Sequence, residues 1–134
     1  VLQEYILDGE QIRSLDDFYD EFARKVTGQI RAGRNLDALD DILRGGFGPP
    51  LEGFVLRWAD AEVSKKHLSH SETVKELTLR LERCHPTNRD RVRGQLADAR
   101  NGVGPTVFDW IVETIRNHGP GGEEAEDNVH LILE

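Results

Sequence analysis

Three short strand-like runs, at residues 3–7, 54–58 and 129–133, are kept apart by segments whose apolar residues recur at helical spacing. A chain patterned this way builds βαβ units, because parallel strands need a long crossover and a helix is the usual one. The expected fold class is therefore α/β, with a parallel sheet, right-handed crossovers and no internal repeat. A length of 134 residues suits one domain with a core large enough to need neither disulfide nor metal. A chain 37% hydrophobic and 31% charged lies on the polar side of globular, outside the disordered class.

The helical segments can be placed from their caps. Ser14 starts a helix over about 15–27, with Asp17 three residues on as a weak capping box. Leu15, Phe18, Tyr19, Phe22 and Val26 are its inward stripe. Asp16, Asp17, Asp20 and Glu21 read as its solvated face. Residues 28–34 form a loop, and a second helix runs from 36 to about 44. Residues 45–50 are a loop, since Gly-Gly-Phe-Gly-Pro-Pro cannot continue a helix. A third helix covers about 60–68. Ser71 caps a fourth, striped by Val74, Leu77, Leu81 and Cys84 and stopped by Pro86. Thr87 caps a fifth, with Val92, Leu96 and Ala99 inward. Thr106 and Asp109 start the last, striped by Val107, Trp110, Ile111, Thr114 and Ile115. Residues 119–127 read as a mobile, acidic, glycine-rich loop. The final strand reads as buried on both faces apart from His130.

The second helix carries the strongest functional signal. Asn35 is a good N-cap, because its side-chain oxygen accepts from a free first-turn amide, and Gly33 lets the chain bend just before it. Leu36, Leu39, Ile42 and Leu43 form the apolar stripe. Asp37 and Asp41 point away from it as an i, i+4 pair, with Asp40 on the flank. Like charges so placed cost a helix a few tenths of a kcal/mol, which the helix N-terminus partly offsets for Asp37. The helix gains nothing from this arrangement, so it suggests a cationic partner. Charge pattern alone favours the plainer reading, a solvated face.

Net charge is −8 and the pI about 5.1. This balance opposes nucleic-acid binding and favours the encounter of a basic partner, although solubility alone also explains it. The single cysteine, Cys84, excludes an internal disulfide and fits a reducing cytoplasm. No apolar run is long enough to span a membrane and no signal-peptide pattern is present. The chain begins at Val1 rather than Met, which leaves a removed leader open.

The segment Gly33-Arg34-Asn35-Leu36-Asp37-Ala38-Leu39-Asp40-Asp41 resembles the inhibitory segment of the barstar family, intracellular inhibitors of barnase-like ribonucleases. Two more stretches keep the family order: Asp8-Gly9-Glu10-Gln11-Ile12-Arg13-Ser14 after the first strand, and Phe54-Val55-Leu56-Arg57-Trp58 as the second strand. The resemblance covers residues 4–68 and 105–134. It leaves residues 69–104 as a helical insertion within a single domain, 1–134. It implies a three-stranded parallel sheet covered by helices.

By position, the resemblance makes Asp37, Asp41 and Glu113 the acidic contacts to a small, basic, guanyl-specific ribonuclease. Their carboxylates replace substrate phosphate among the enzyme's cations. Gly33, Asn35, Leu36 and Ala38 correspond to the loop and first turn fitted against the enzyme. Two positions depart from the family: Arg31 replaces an aromatic residue, and Asp40 replaces a tryptophan. Both substitutions remove apolar contact and suggest a ribonuclease other than barnase, a weaker complex or a lost function.

The expected protein is thus a cytoplasmic immunity-type inhibitor, monomeric when free, with no catalytic residues, cofactor, nucleic acid or membrane partner. The alternative is a barstar-fold module that binds another basic protein without inhibiting a ribonuclease. Two readings are weaker. His67, His70, Cys84 and His85 have zinc-ligand chemistry without a known finger spacing. Asp37, Asp40 and Asp41 could hold Mg²⁺ for a phosphoester hydrolase, but the glycine loop at 45–49 lacks the lysine of a phosphate cradle.

Overall fold

In the computed structural model, residues 1–28, 34–45 and 48–134 are described. Strand β1 (Gln3–Asp8) leads into helix α1 (Leu15–Phe22), which runs on as a π-helical turn over Ala23–Thr27. Helix α2 (Leu36–Leu43), strand β2 (Phe54–Ala59) and helices α3 (Ala61–His67), α4 (His70–Arg83), α5 (Arg89–Arg100) and α6 (Val107–Arg116) follow. Strand β3 (Val129–Leu133) ends the order. The sheet is three-stranded and all parallel, in the order β1-β2-β3. The expected α/β class and architecture are present. Parts of the expected loops at 28–34 and 45–50 lie outside the described residues. No helix among the described residues is long and apolar enough to cross a membrane.

One face of the sheet makes the core. Leu7, Phe54, Leu56, Trp58 and Val129 are buried there against Phe18 and Phe22 of α1, Leu39 and Leu43 of α2, and Ile111 and Ile115 of α6. Trp58 packs between Phe18 and Phe108 at ring separations of 5.5 and 5.2 Å. Its indole N–H donates to Ser64 Oγ, which donates in turn to the Gly9 carbonyl. Gly9 passes so close to the Ala59 carbonyl that no side chain fits, which is why the turn after β1 needs glycine.

The other face is open. Ile6 is 52% exposed, and Arg57 pairs there with Glu4 and Glu134 at 3.0 and 2.6 Å. This corrects the reading of β3 as buried on both faces. β3 is an edge strand, and Leu131, Ile132 and Leu133 are only half-buried.

Two helix starts differ from expectation. α4 begins at His70 with Ser69 in the cap position, so Ser71 lies inside the helix. Thr87 falls within a short 3₁₀ turn that His85 caps, and α5 starts after Asn88. Thr106 and Asp109 do form the full capping box of α6.

Glu21 departs further. It is buried, not solvated: its carboxylate accepts from the Asp8 N–H at 2.6 Å and pairs with Arg24. The N–H at the end of β1 faces inward and needs an acceptor that the sheet does not supply.

Residues 69–104 are tied into the domain. Leu77, Val92, Leu96 and Ala99 form a second buried cluster, and Trp110 packs against both this cluster and the main core. Thr73 Oγ1 accepts from the Val107 N–H at 3.0 Å, and Glu72 accepts from the Leu15 N–H at 2.7 Å. The helical pair therefore supplies acceptors to the first turns of both α1 and α6. Glu72→Ala should lower unfolding stability by about 2 kcal/mol, because the partly buried Leu15 amide loses its partner. Urea denaturation measures this. A change below ~0.5 kcal/mol would mean that the contact with α1 is not structural.

Candidate functional site

α2 starts where its sequence directs. Asn35 is extended (φ −155°, ψ 169°), and its Oδ1 accepts from the Ala38 N–H at 2.8 Å. Just before the cap, Arg34 pairs with Asp20 of α1 at 2.7 Å, donates to the Asp16 carbonyl and lies 5.8 Å from the Tyr19 ring. The acidic helix is therefore fastened to α1 at its start.

Leu39, Ile42 and Leu43 are buried, Leu36 packs on the core, and Ala38 is half-buried. Asp37 and Asp41 are exposed on the opposite side, as the periodicity requires. Asp41 pairs with Arg44 at 2.9 Å, and Arg44 also reaches Glu124 at 3.0 Å. Glu113 is exposed on α6, which packs against α2. It lines a shallow depression with Arg116, Asn117 and residues 120–122. Arg31 and Gly33 lie outside the described residues.

Asp40 does something the sequence did not reveal. It is about one-third exposed and bonds to Nε2 of His118 at 2.8 Å. His118 is fully buried, and its Nδ1 bonds to Asp127 at 2.7 Å, with Glu124 at 3.4 Å. With a carboxylate acceptor on each ring nitrogen, both nitrogens must carry hydrogen, so this geometry suits the imidazolium. Burial opposes the charge, but the bonds to Asp127 and Asp40 and the charge of Glu124 outweigh it, and the His118 pKa is raised.

This cluster anchors the 119–127 loop, expected to be mobile, to α6 and α2. Sequence reasoning missed His118, Glu124 and Asp127 as partners of α2. A lone histidine beside a glycine carries no signal of what it will meet.

Other ionisable groups lie near the helix start. The Tyr19 hydroxyl is buried without a hydrogen-bond partner among the described residues, and burial, then Glu76 and Asp16, push its pKa upward. The Glu76 pKa is also raised, by burial and then by Glu72 and Asp16.

Two groups of potential metal ligands converge among the described residues: Asp40, His118 and Glu124, and Asp8, Glu10 and Asp60. The first already uses both His118 nitrogens. His67, His70, Cys84 and His85 do not converge. His70 bonds to the Gly104 carbonyl, His85 caps its own turn, and Cys84 packs on the second cluster.

A family model described as Barstar (barnase inhibitor) matches residues 2–97. The chain belongs to the barstar family. The matched range takes in the cap, Asp37 and Asp41 on α2, and it continues through α4 and most of α5. It thus includes residues 69–97, which the resemblance left without a counterpart, and it ends before α6, where Glu113 lies. At family level the function is inhibition of barnase-like ribonucleases, which is binding and not catalysis.

Proposed function

We propose that this barstar-family chain inhibits a small, basic, guanyl-specific ribonuclease by lodging the exposed face of α2 in its active site. The observation that carries this reading is the pair Asp37 and Asp41, exposed one turn apart on a helix whose other face is sunk in the core. A centre built to hold phosphate concentrates positive charge, and two fixed carboxylates meet it without reordering the helix. Arg31, Gly33, Asn35, Leu36, Ala38 and Glu113 extend the contact in this reading. Asp40 adds to it indirectly, by holding α2 on His118. The setting is the cytoplasm, where an inhibitor shields its own cell from the enzyme.

The purified chain should block RNA cleavage by a guanyl-specific microbial ribonuclease from its own host at near-stoichiometric amounts. Association should slow several-fold between ~20 and ~500 mM salt, as screening shortens the reach of the acidic face. Titrated cleavage and stopped-flow mixing measure the two effects. A folded chain that inhibits no ribonuclease of this class would overturn the proposal.

A second reading is a barstar-fold module that binds a different basic protein. One observation favours it: Asp40 and Asp41 are already paired inside the chain.

A further inference from the structure

We propose that the α4–α5 pair forms a second part of the ribonuclease-binding face: a cationic cleft beside Asp37 that receives an acidic loop of the same enzyme. This inference rests on the inhibitor reading and adds what would determine which ribonuclease is bound.

A cleft of about 930 Å³ separates the start of α2 from the helical pair. Asp37 lines it from α2, Glu76, Arg80 and Arg83 from α4 and Arg91 from α5, together with Tyr19 and Trp110. Arg83 and Arg91 are exposed and make no ion pair among the described residues. Arg80 lies 5.1 Å from the Trp110 ring and makes no ion pair there either. Glu76 also lines the cleft and feels the charge of Arg80, so Arg83 and Arg91 are the guanidinium groups left for a partner.

The charge balance of the chain points the same way. Residues 70–100 hold seven basic and five acidic side chains, whereas the rest of the chain holds ten and twenty. Residues 70–100 are therefore net basic in a chain that is acidic elsewhere.

Against an enzyme that was basic throughout, these arginines would repel and weaken the complex. They become favourable when the enzyme carries carboxylates flanking its cationic centre. Asp37 lines the cleft and also belongs to the proposed active-site contact, so one enzyme seated on α2 reaches both regions. A guanidinium pairs bidentately with a carboxylate, and Tyr19 and Trp110 provide apolar area for the loop that carries it. The arrangement is bipolar, acidic on α2 and basic on α4–α5, and a ribonuclease with the matching polarity is favoured over one without it.

The test uses the ribonuclease that the wild-type chain inhibits. Arg83→Glu/Arg91→Glu should raise Kd by about tenfold or more. Arg93→Glu/Arg100→Glu makes the same change in net charge outside the cleft and should alter Kd by less than about twofold. Circular dichroism and thermal melts establish that both variants fold. If the cleft variant binds as tightly as wild type while Asp41→Ala weakens the complex strongly, the cleft is not a contact and the inhibitor reading stands alone. If both double variants weaken binding equally, only the overall field acts and the inference falls. If the wild-type chain inhibits no ribonuclease, both readings fall. A second copy of the chain seated in the cleft would appear as a dimer that Arg83→Glu/Arg91→Glu abolishes, and that result also overturns the inference.

Discussion

Asp41→Ala is expected to weaken the ribonuclease complex by about 3 kcal/mol, roughly 150-fold in Kd, because the enzyme's desolvated cations lose their acceptor. The effect should appear mainly as faster dissociation, since one charge contributes little to long-range attraction in a chain of net charge −8. Folding should be almost unchanged. The Asp41 carboxylate is exposed, and surface pairs such as its contact with Arg44 contribute little to stability. Asp37→Ala should weaken binding less, because the first-turn amides already hold part of that charge. Asp16→Ala on α1 should change only the association rate, and slightly. Surface-binding kinetics with the inhibited ribonuclease separate these cases. If Asp41→Ala binds within about threefold of wild type, α2 is not the inhibitory element.

His118→Leu is expected to destabilise the fold by about 3 kcal/mol. Removing the imidazole from between Asp40 and Asp127 takes a hydrogen-bond donor from each of two partly buried carboxylates, with Glu124 nearby. The pH dependence of the wild-type chain follows from the same cluster. A histidine with a raised folded-state pKa contributes stability that is fully present below its ordinary value of 6.5. That stability is lost as pH rises through the folded-state value. The facing groups are Asp40 on α2, Glu124 and Asp127 in the following loop, and Arg44, which reaches the site through Glu124. Urea midpoints measured from pH 6 to 9 should therefore fall in wild type and fall less in His118→Gln. Equal slopes in the two proteins would mean that His118 is neutral in the fold and that the cluster holds α2 only through neutral hydrogen bonds.

The legible parts of this molecule were the local ones. The Asn35 cap, the buried stripe of α2 and the outward pair Asp37 and Asp41 all follow from residues within two turns of each other. The three strands and their parallel arrangement follow from the alternation of segment types. Glu21 was not legible, because its burial depends on the Asp8 amide thirteen positions away. Nor was the role of Asp40, whose partner His118 is 78 positions distant. The cap errors at Ser71 and Thr87 arose where several capping residues lie in a row and local preference does not choose among them. The final strand looked doubly buried because its composition is apolar, but exposure depends on strand order, which composition does not encode. Residues 69–104 read by sequence as an insertion within the domain, and Glu72, Thr73 and Trp110 make them part of the main fold.

Arg44 gives recognition by α2 a particular character. In the free chain its guanidinium pairs with Asp41 and with Glu124 at the same time, so on the proposed reading a ribonuclease arginine that reaches Asp41 meets a resident cation. Docking is then an exchange of cations at one carboxylate: the visiting group displaces the resident one, which keeps its second anchor. The tally of ion pairs barely changes, so affinity must arise from how dry and how rigid the new pair is compared with the old. In the proposed complex, the cation that displaces Arg44 is one that holds Asp41 with better geometry.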